Sequence, residues 1–325
     1  MFKKRWFIIA SILLAMAGWR DVSWSKEPYH VGVVSFGGGQ VEVILGMQEG
    51  MKELGYEEGK NIAYTVVDAA GSDEKARAAA EEFLRKKVDV VYAVSTPVTT
   101  HVAQVIKNIP IIFNIVSDPV GTGLVRSWRS SGNNLTGCSN YVGQTGPKRL
   151  EVLKMMVPDV RRVLVPYDPK NRFSHGAIVI LREAANALRI ALIEKHVGSK
   201  DDVVALMKSI RRGEYDAFFH LGEAKVTAAI DAVIARLNEV KLPSIAHEES
   251  FSEKGMLAAY GPSWRVLGKQ CAQSLDKALR GERPADIPIQ IPTRFDLVIN
   301  IQTAKAIGIT LPREVFTRAE KIIER

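Results

Sequence analysis

The sequence is poor in the residues that build metal sites, redox centres and disulfide frameworks. It has two cysteines among 325 residues, and neither a paired-cysteine spacing nor an HExxH motif occurs. The GxSxG sequence of α/β-hydrolases and the phosphate-binding GxxxxGK[ST] loop are also missing. The six histidines are scattered along the chain. We therefore expect no metal, no cofactor and no enzymatic activity.

Charge of one sign is not concentrated in any part of the sequence. The chain has 44 Lys and Arg against 36 Asp and Glu, a net charge of +8. Acidic and basic residues are interspersed, as in 81–87, which is typical of a solvated face and not of a nucleic-acid-binding stripe. The 46% hydrophobic and 25% charged residues are ordinary for a globular protein, and the length fits about two domains of roughly 150 residues.

Long apolar runs are also rare, and the one that approaches membrane length lies at the N-terminus. Three basic residues, 3–5, precede an apolar stretch, 6–17, which is too short to span a bilayer at about 1.5 Å per residue. Ala15-Met16-Ala17 has the small residues of a cleavage site, and a second such pattern ends at Ser25. We interpret 1–25 as a signal peptide and expect a periplasmic protein, with a short membrane anchor as the alternative.

The two cysteines are predicted to be unpaired core residues. Cys138 follows a probable strand, 134–137, and Cys271 lies on the apolar face of a helical pattern, 264–280. A disulfide is the alternative, because exported proteins often contain them.

Strands and helices alternate along the chain, which predicts parallel sheets covered by helices on both faces. In the first part, the predicted strands are 29–35, 61–67, 88–94 and 110–116, and the helices are 41–54, 73–87 and 98–107. After Tyr141 the same order restarts with helices at 147–156, 174–188, 201–211 and 224–240 and strands at 162–165, 190–197, 215–219 and 243–246. The fold class is therefore α/β with two Rossmann-like lobes.

The last part of the chain has too few elements for a third domain. We expect it to return and complete the first two. The predicted N-terminal lobe comprises 28–138 and 258–292, and the predicted C-terminal lobe comprises 139–257 and 293–325.

Ligands of open parallel sheets bind at the carboxyl ends of the strands, so the residues that follow each strand are the candidate site. In the first lobe the glycines, hydroxyls and helix starts at these positions suit a carboxylate or phosphate. Tight turns and helix caps are the alternative explanation. The candidates are Ser35, Phe36, Gly37, Gly38, Ser95, Thr96, Ser117 and Asp118.

In the second lobe the corresponding positions carry carboxylates, which suit an ammonium group. Merely solvated loop carboxylates are the alternative. The candidates are Asp168, Asn171, Glu223 and Glu248. Tyr141 lies where the two halves meet, and Phe36 and Tyr260 are expected to flank an apolar or aromatic part of the ligand.

Several motifs in order resemble one protein family. They are Val31–Gly38, Leu54–Asn61, Asp118–Leu124, Asn133–Gly137, Lys148–Glu151, Tyr260-Gly261, Pro292–Asn300 and Thr303–Gly308. Over nearly the whole chain after residue 25, the sequence resembles the ABC-transporter substrate-binding proteins that include tryptophan- and tyrosine-type binders.

This resemblance implies the type I periplasmic-binding-protein fold, in which two lobes are joined by three crossover strands. It also implies a monomer that captures a small solute between its lobes and passes it to a membrane permease driven by an ATPase. With donors for a carboxylate in one lobe and carboxylates in the other, we expect an amino acid or related zwitterion. The alternatives are a periplasmic sensor that presents its ligand to a membrane signalling protein, and a hydrolase or racemase that uses the cleft carboxylates.

Overall fold

The computed structural model describes residues 27–37 and 40–324. The predicted signal peptide and Gly38 lie outside these residues. The described part contains two α/β lobes, each built on its own sheet, so the predicted fold class is confirmed. No helix in 27–37 or 40–324 has the length and apolar character needed to cross a membrane.

The first sheet has five parallel strands in the order β2-β1-β3-β4-β5. They are β1 (Tyr29–Ser35), β2 (Ile62–Asp68), β3 (Val90–Val94), β4 (Ile111–Val116) and β5 (Leu135–Ser139). The connecting helices are α1 (Val41–Glu53), α2 (Asp73–Lys86) and α3 (Thr96–Val105). Helices α2 and α3 cover one face of this sheet, and α1 covers the other. The inner strands are buried on both faces, which explains their continuous runs of Val, Ile and Ala.

The second sheet has seven strands in the order β12-β11-β10-β9-β8-β6-β7. They are β6 (Arg162–Tyr167), β7 (Ala191–His196), β8 (Ala217–Phe219), β9 (Ser244–Ala246), β10 (Ala258–Gly261), β11 (Asp296–Asn300) and β12 (Lys321–Ile323). All neighbours are parallel except β10 and β11, which are antiparallel.

Helices cover both faces of the second sheet. One face carries α4 (Gly146–Met156), α5 (Arg172–Ala187), α11 (Ile301–Ile307) and α12 (Arg313–Arg318). The other carries α6 (Lys200–Ser209), α7 (Ala224–Ala228), α8 (Ile230–Glu239) and α9 (Glu249–Glu253). The single helix predicted over 224–240 is two helices in the structure, because the backbone leaves helical geometry at Ala229.

Helix α10 (Trp264–Leu279) returns to the first lobe and packs against α1. The backbones approach so closely that a Cβ atom on Gly46 would lie 2.0 Å from the Arg265 carbonyl oxygen, and one on Gly268 would lie 2.1 Å from that of Val43. Arg265 also forms ion pairs with two carboxylates of α1. Glycine is therefore required on both helices where they meet.

The chain passes between the lobes three times, at 140–145, 262–263 and 291–295. Before the last passage, Gln290 pairs with the edge strand β5, where the Ser139 N–H donates to the Gln290 carbonyl at 2.9 Å. The structure places β10 in the second sheet, although the expected boundary put residues from 258 onward in the first lobe. Strand β10 is held there by parallel pairing with β9 on one side and antiparallel pairing with β11 on the other.

Cys138 and Cys271 are both buried in the core between the first sheet and α10, and both are free. The Cys271 thiol donates to the Phe113 carbonyl at 3.5 Å. Burial, and then the neighbouring Cys271, raise the pKa of the Cys138 thiol. The Cys138 thiol is therefore protonated and both thiols are buried in the folded chain, and the unpaired state in solution stays a prediction.

Candidate ligand-binding cleft

The carboxyl-terminal edges of the two sheets adjoin the passages between the lobes. The chain leaves β5 at its carboxyl end to enter the second lobe, and it leaves β10 at its carboxyl end to return. Strands β5 and β10 are parallel to their neighbours β4 and β9, so the carboxyl ends of each sheet lie on the side of these passages. The two edges therefore form the walls of one cleft.

After β1, the chain turns sharply at the first-lobe edge. The Phe36 N–H donates to the Gln40 side-chain oxygen at 2.8 Å, and Phe36 packs on the core below. Gly37 has φ of +97°, a conformation that favours glycine. Ser35 is buried at the end of the strand. These contacts hold Phe36 and Gly37 close to the sheet.

Ser95 combines backbone strain with an unsatisfied hydroxyl. It follows β3 directly, has φ of +90° and is 7% exposed, and its Oγ has no hydrogen-bond partner in the described part of the chain. It begins α3 without capping it through its side chain, and Thr96 is the first helical residue. Strained residues and unsatisfied buried polar atoms both concentrate at binding sites. The first turn of α3 also offers N–H groups that have no partner within the helix.

Ser117 and Asp118, after β4, are engaged in local structure. One Asp118 carboxylate oxygen accepts the Gly121 N–H at 2.7 Å, and the Ser117 carbonyl accepts the Ser139 hydroxyl at 3.3 Å. These bonds shape the loop and join it to β5.

The first passage between the lobes, 140–145, starts with two unusual residues. Asn140 is 3% exposed, and its side-chain oxygen has no partner among the described residues. Tyr141 has φ of +54°, and its ring meets that of Trp128 edge-on at 5.9 Å. Sequence analysis identified Tyr141 but missed Asn140, although Asn140 follows the last strand of the first sheet.

In the second lobe, the negative charges of Asp168 and Glu223 are already balanced by a cation or by hydrogen-bond donors of the same lobe. Asp168 forms an ion pair with Lys225, which lowers the pKa of the Asp168 carboxyl, and it also accepts the Lys170 N–H at 2.9 Å. Lys225 is the second residue of α7, so its ion pair with Asp168 holds the start of α7 against the loop after β6.

Glu223 is 1% exposed, and four donors surround its carboxylate. They are the Asn171 amide at 3.2 Å, the Ser174 hydroxyl, and the N–H groups of Asp168 and Lys225 at 3.4 and 3.3 Å. Two carboxylate oxygens have about four lone-pair sites, so these donors fill its capacity. The expectation that Glu223 offers a free carboxylate to an ammonium is not supported, because Glu223 braces the β6–α5 and β8–α7 loops instead. Asn171 caps α5 and takes part in the same brace.

A buried guanidinium lies below this edge. Arg149 of α4 donates to the carbonyl oxygens of His220 at 2.6 Å and Val142 at 3.0 Å, and it lies 4.8 Å above the Phe219 ring. No carboxylate among the described residues pairs with it. Burial lowers the pKa of Arg149 to about 9, so the group keeps its charge at neutral pH.

Two buried histidines adjoin Arg149. The Gly222 N–H donates to His220 Nδ1 at 3.1 Å, so Nε2 carries the hydrogen and donates to the Thr227 hydroxyl at 3.3 Å. Burial and the charge of Arg149 lower the pKa of His220 to about 3. His247, after β9, has its ring 5.2 Å from that of His220, and burial lowers its pKa as well. Both histidines are therefore neutral at pH 7, and His247 Nδ1 has no partner among the described residues.

Glu248 follows His247 and is half-buried. Its carboxylate accepts the Ser250 hydroxyl, and no Lys or Arg nitrogen of the described residues lies within ion-pair distance. Burial raises the pKa of Glu248, while the hydroxyl and the Trp264 indole N–H act in the opposite direction. Trp264 belongs to α10 of the first lobe, so a first-lobe residue acts on this second-lobe carboxylate. Trp264 was missed by sequence analysis, although it comes directly after the second passage.

The structure does not bring Tyr260 together with these groups. Its ring stacks on Phe295 at 6.1 Å and packs against the core that contains α4. Burial raises the pKa of the Tyr260 phenol, and the charges that act on it are Lys148 and Glu151 of α4 and residues near β11. Tyr260 therefore supports the packing of α4 on β10.

Three comparisons relate the chain to known proteins. The family model described as "ABC transporter substrate binding protein" matches residues 31–323. A tyrosine-binding protein of Clostridioides difficile (strain R20291) is 29% identical over 262 residues, which are 81% of this chain and 75% of the relative.

Among solved structures, a conserved domain protein from Vibrio cholerae O1 biovar El Tor has a TM-score of 0.81 and 30% identity, with 91% of this chain and 100% of that chain covered. An ABC domain in complex with L-Trp from Streptococcus pneumoniae has a TM-score of 0.80 at 22% identity, with the same coverage, and shows the shared fold. The family and the tyrosine-binding relative are substrate-binding proteins and not enzymes, as expected. The chain belongs to the ABC transporter substrate binding protein family.

Proposed function

We propose that this protein captures an amino acid or a related zwitterion between its two lobes. It delivers the ligand to the permease and ATPase of an ABC import system, after export to the periplasm. The relatives support this choice, because one is named for binding tyrosine and another was solved with L-Trp. Closure of the lobes is a hinge motion at the three passages, stabilised by a ligand that contacts both walls.

The observation that carries the proposal is Ser95. A buried hydroxyl without a partner, on a strained backbone at the start of α3, is prepared to donate to an anionic group. The free N–H groups of the first turn of α3 also favour an anionic group at this position. A ligand carboxylate bound here satisfies Ser95 and the helix start together.

The test is a thermal-shift panel of the L-amino acids on protein that has been unfolded and refolded to remove bound ligand. Saturation at 100 times Kd stabilises the folded state by about 2.7 kcal/mol, so at least one amino acid should raise the melting temperature by a few degrees. Ser95→Ala should weaken that ligand about tenfold, because a hydrogen bond to a charged group is worth about 1.5 kcal/mol or more.

The matched control is Ser209→Ala, an exposed serine at the end of α6, which should leave affinity unchanged. If every amino acid leaves the melting temperature unchanged while a sugar or an uncharged base raises it, the proposal that the ligand is a zwitterion is refuted.

A further inference from the structure

Glu248 differs from the other two carboxylates at the second-lobe edge in lacking a cation or a full set of donors. Asp168 is paired with Lys225, and Glu223 is filled by four donors. Glu248 has only a serine hydroxyl and an indole N–H, which are neutral, and Lys254 acts on it from a distance. A partly buried carboxylate without a counter-cation carries a desolvation cost that an arriving cation offsets.

The residue beside Glu248 is a buried polar group that also lacks a partner. His247 is 8% exposed, and its Nδ1 has no hydrogen-bond partner among the described residues. Neutral groups of this kind accept or donate hydrogen bonds without repelling a cation. The end of β10, which leads into the second passage, runs beside His247, because a Cβ on Gly261 would lie 1.8 Å from the His247 carbonyl oxygen.

Trp264 reaches Glu248 from the other lobe. It packs against the first-lobe core, and its indole N–H acts on the Glu248 carboxylate. A group bound at Glu248 would therefore lie on the second-lobe wall at the point where Trp264 of the first lobe acts on it. Such a contact gives the ligand a preference for the closed state, which a group held by one lobe alone does not give.

We propose that Glu248 binds the ammonium group of the ligand, and that Trp264 covers the same group from the first lobe. This inference rests on the proposed function, and it assigns the ammonium to Glu248 in place of Asp168 and Glu223. The ligand carboxylate then lies at Ser95, so its two charged ends are bound by different lobes.

The test is calorimetric titration of the strongest stabiliser from the amino-acid panel, with Glu248→Gln compared with Glu249→Gln. Glu249 is the adjacent carboxylate, but it pairs with Lys321 on the outside of the lobe, so it is the matched control. We expect Glu248→Gln to weaken binding at least 30-fold and Glu249→Gln less than threefold. The same acid without its amino group should bind wild-type and Glu248→Gln protein with affinities within threefold.

A second measurement shows that the variant is folded. Because burial raises the pKa of Glu248, its charge destabilises the ligand-free protein at pH 7. Ligand-free Glu248→Gln should therefore melt at or above the wild-type temperature at pH 7. This advantage should disappear below the ordinary glutamate pKa, where wild-type Glu248 is protonated in both the folded and the unfolded states.

The outcomes separate the two proposals. If no amino acid stabilises the wild-type protein, the proposed function fails, and the assignment of Glu248 fails with it. If an amino acid binds and Glu248→Gln leaves its affinity within threefold, only the Glu248 assignment is overturned. If Asp168→Asn abolishes binding of the amino acid and Glu248→Gln leaves its affinity unchanged, Asp168 and not Glu248 binds the ammonium group.

Discussion

Arg149 and the two histidines beside it make the second lobe sensitive to acid at the scale of single residues. Arg149 is charged and buried, and its partners are backbone carbonyls. Burial, and then the charge of Arg149, keep His220 and His247 neutral at pH values far below their ordinary pKa. In the unfolded chain these histidines titrate near pH 6.5, so protonation favours unfolding.

His220 therefore predicts a loss of stability on acidification. With a folded pKa of about 3, it contributes stability that is complete above pH 6.5 and lost as the pH falls towards 3. Between pH 6.5 and 4.5 the loss is about 2 kcal/mol, since each pH unit well below the ordinary pKa is worth about 1.36 kcal/mol. Urea unfolding of wild-type and His220→Gln protein at both pH values measures this term.

The variant should be less stable at pH 7 but should lose less on acidification. His175→Gln is the control, because His175 is an exposed residue of α5 and should keep the wild-type pH dependence. An identical pH dependence in His220→Gln and wild-type protein would contradict the prediction.

At the scale of elements, the contact between α1 and α10 leaves no room for added volume. Gly268 lies where a Cβ would collide with the Val43 backbone, which cannot move without shifting the whole helix. The same substitution on an open helix surface is favourable, because alanine loses less conformational entropy than glycine.

We therefore predict opposite effects for two Gly-to-Ala substitutions within helices. Gly268→Ala should lower the free energy of unfolding by about 2 kcal/mol or more. Gly176→Ala in α5, where no atom lies within 4 Å of the added Cβ, should raise it by about 0.5 to 1 kcal/mol. Denaturant unfolding of both variants measures the difference, and a stabilised Gly268→Ala would show that the two helices are not in close contact in solution.

Element type and order could be predicted from the sequence, because burial on both faces makes the inner strands continuously apolar and the helices amphipathic. The break at Ala229 could not, since the apolar face of 224–240 continues across it. The sequence also did not show which sheet contains β10. Its pairing with β11 joins residues about forty positions apart, and such a pairing leaves no local pattern.

The candidate site was predictable in position but not in role. The rule that ligands meet the carboxyl ends of strands selected Ser95 and Glu248 as well as Glu223. It could not show that Glu223 is filled by donors, because Asn171 and Ser174 lie about fifty residues earlier. Nor could it show the contact of Trp264 with Glu248, which depends on how the lobes approach each other.

At the scale of the whole molecule, export is predicted from residues 1–25, which lie outside the described residues. Basic residues 3–5, the apolar stretch 6–17 and the small residues after it indicate a cleaved signal peptide. Expressed with its own N-terminus in a Gram-negative host, the mature protein should be recovered from the periplasm and begin at Gly18 or Lys26. N-terminal sequencing measures this, and a full-length product in the cytoplasm would contradict it.

The contact between α1 and α10 also determines when the first lobe can be finished during synthesis. The apolar face of α1 is covered by residues of α10, and the Tyr56 hydroxyl donates to Asp276, 220 positions later. The second lobe likewise waits for β11 and α11. A chain leaving the ribosome therefore has no complete lobe until most of it has been made, and the predicted export would act on a chain in which neither lobe is yet complete.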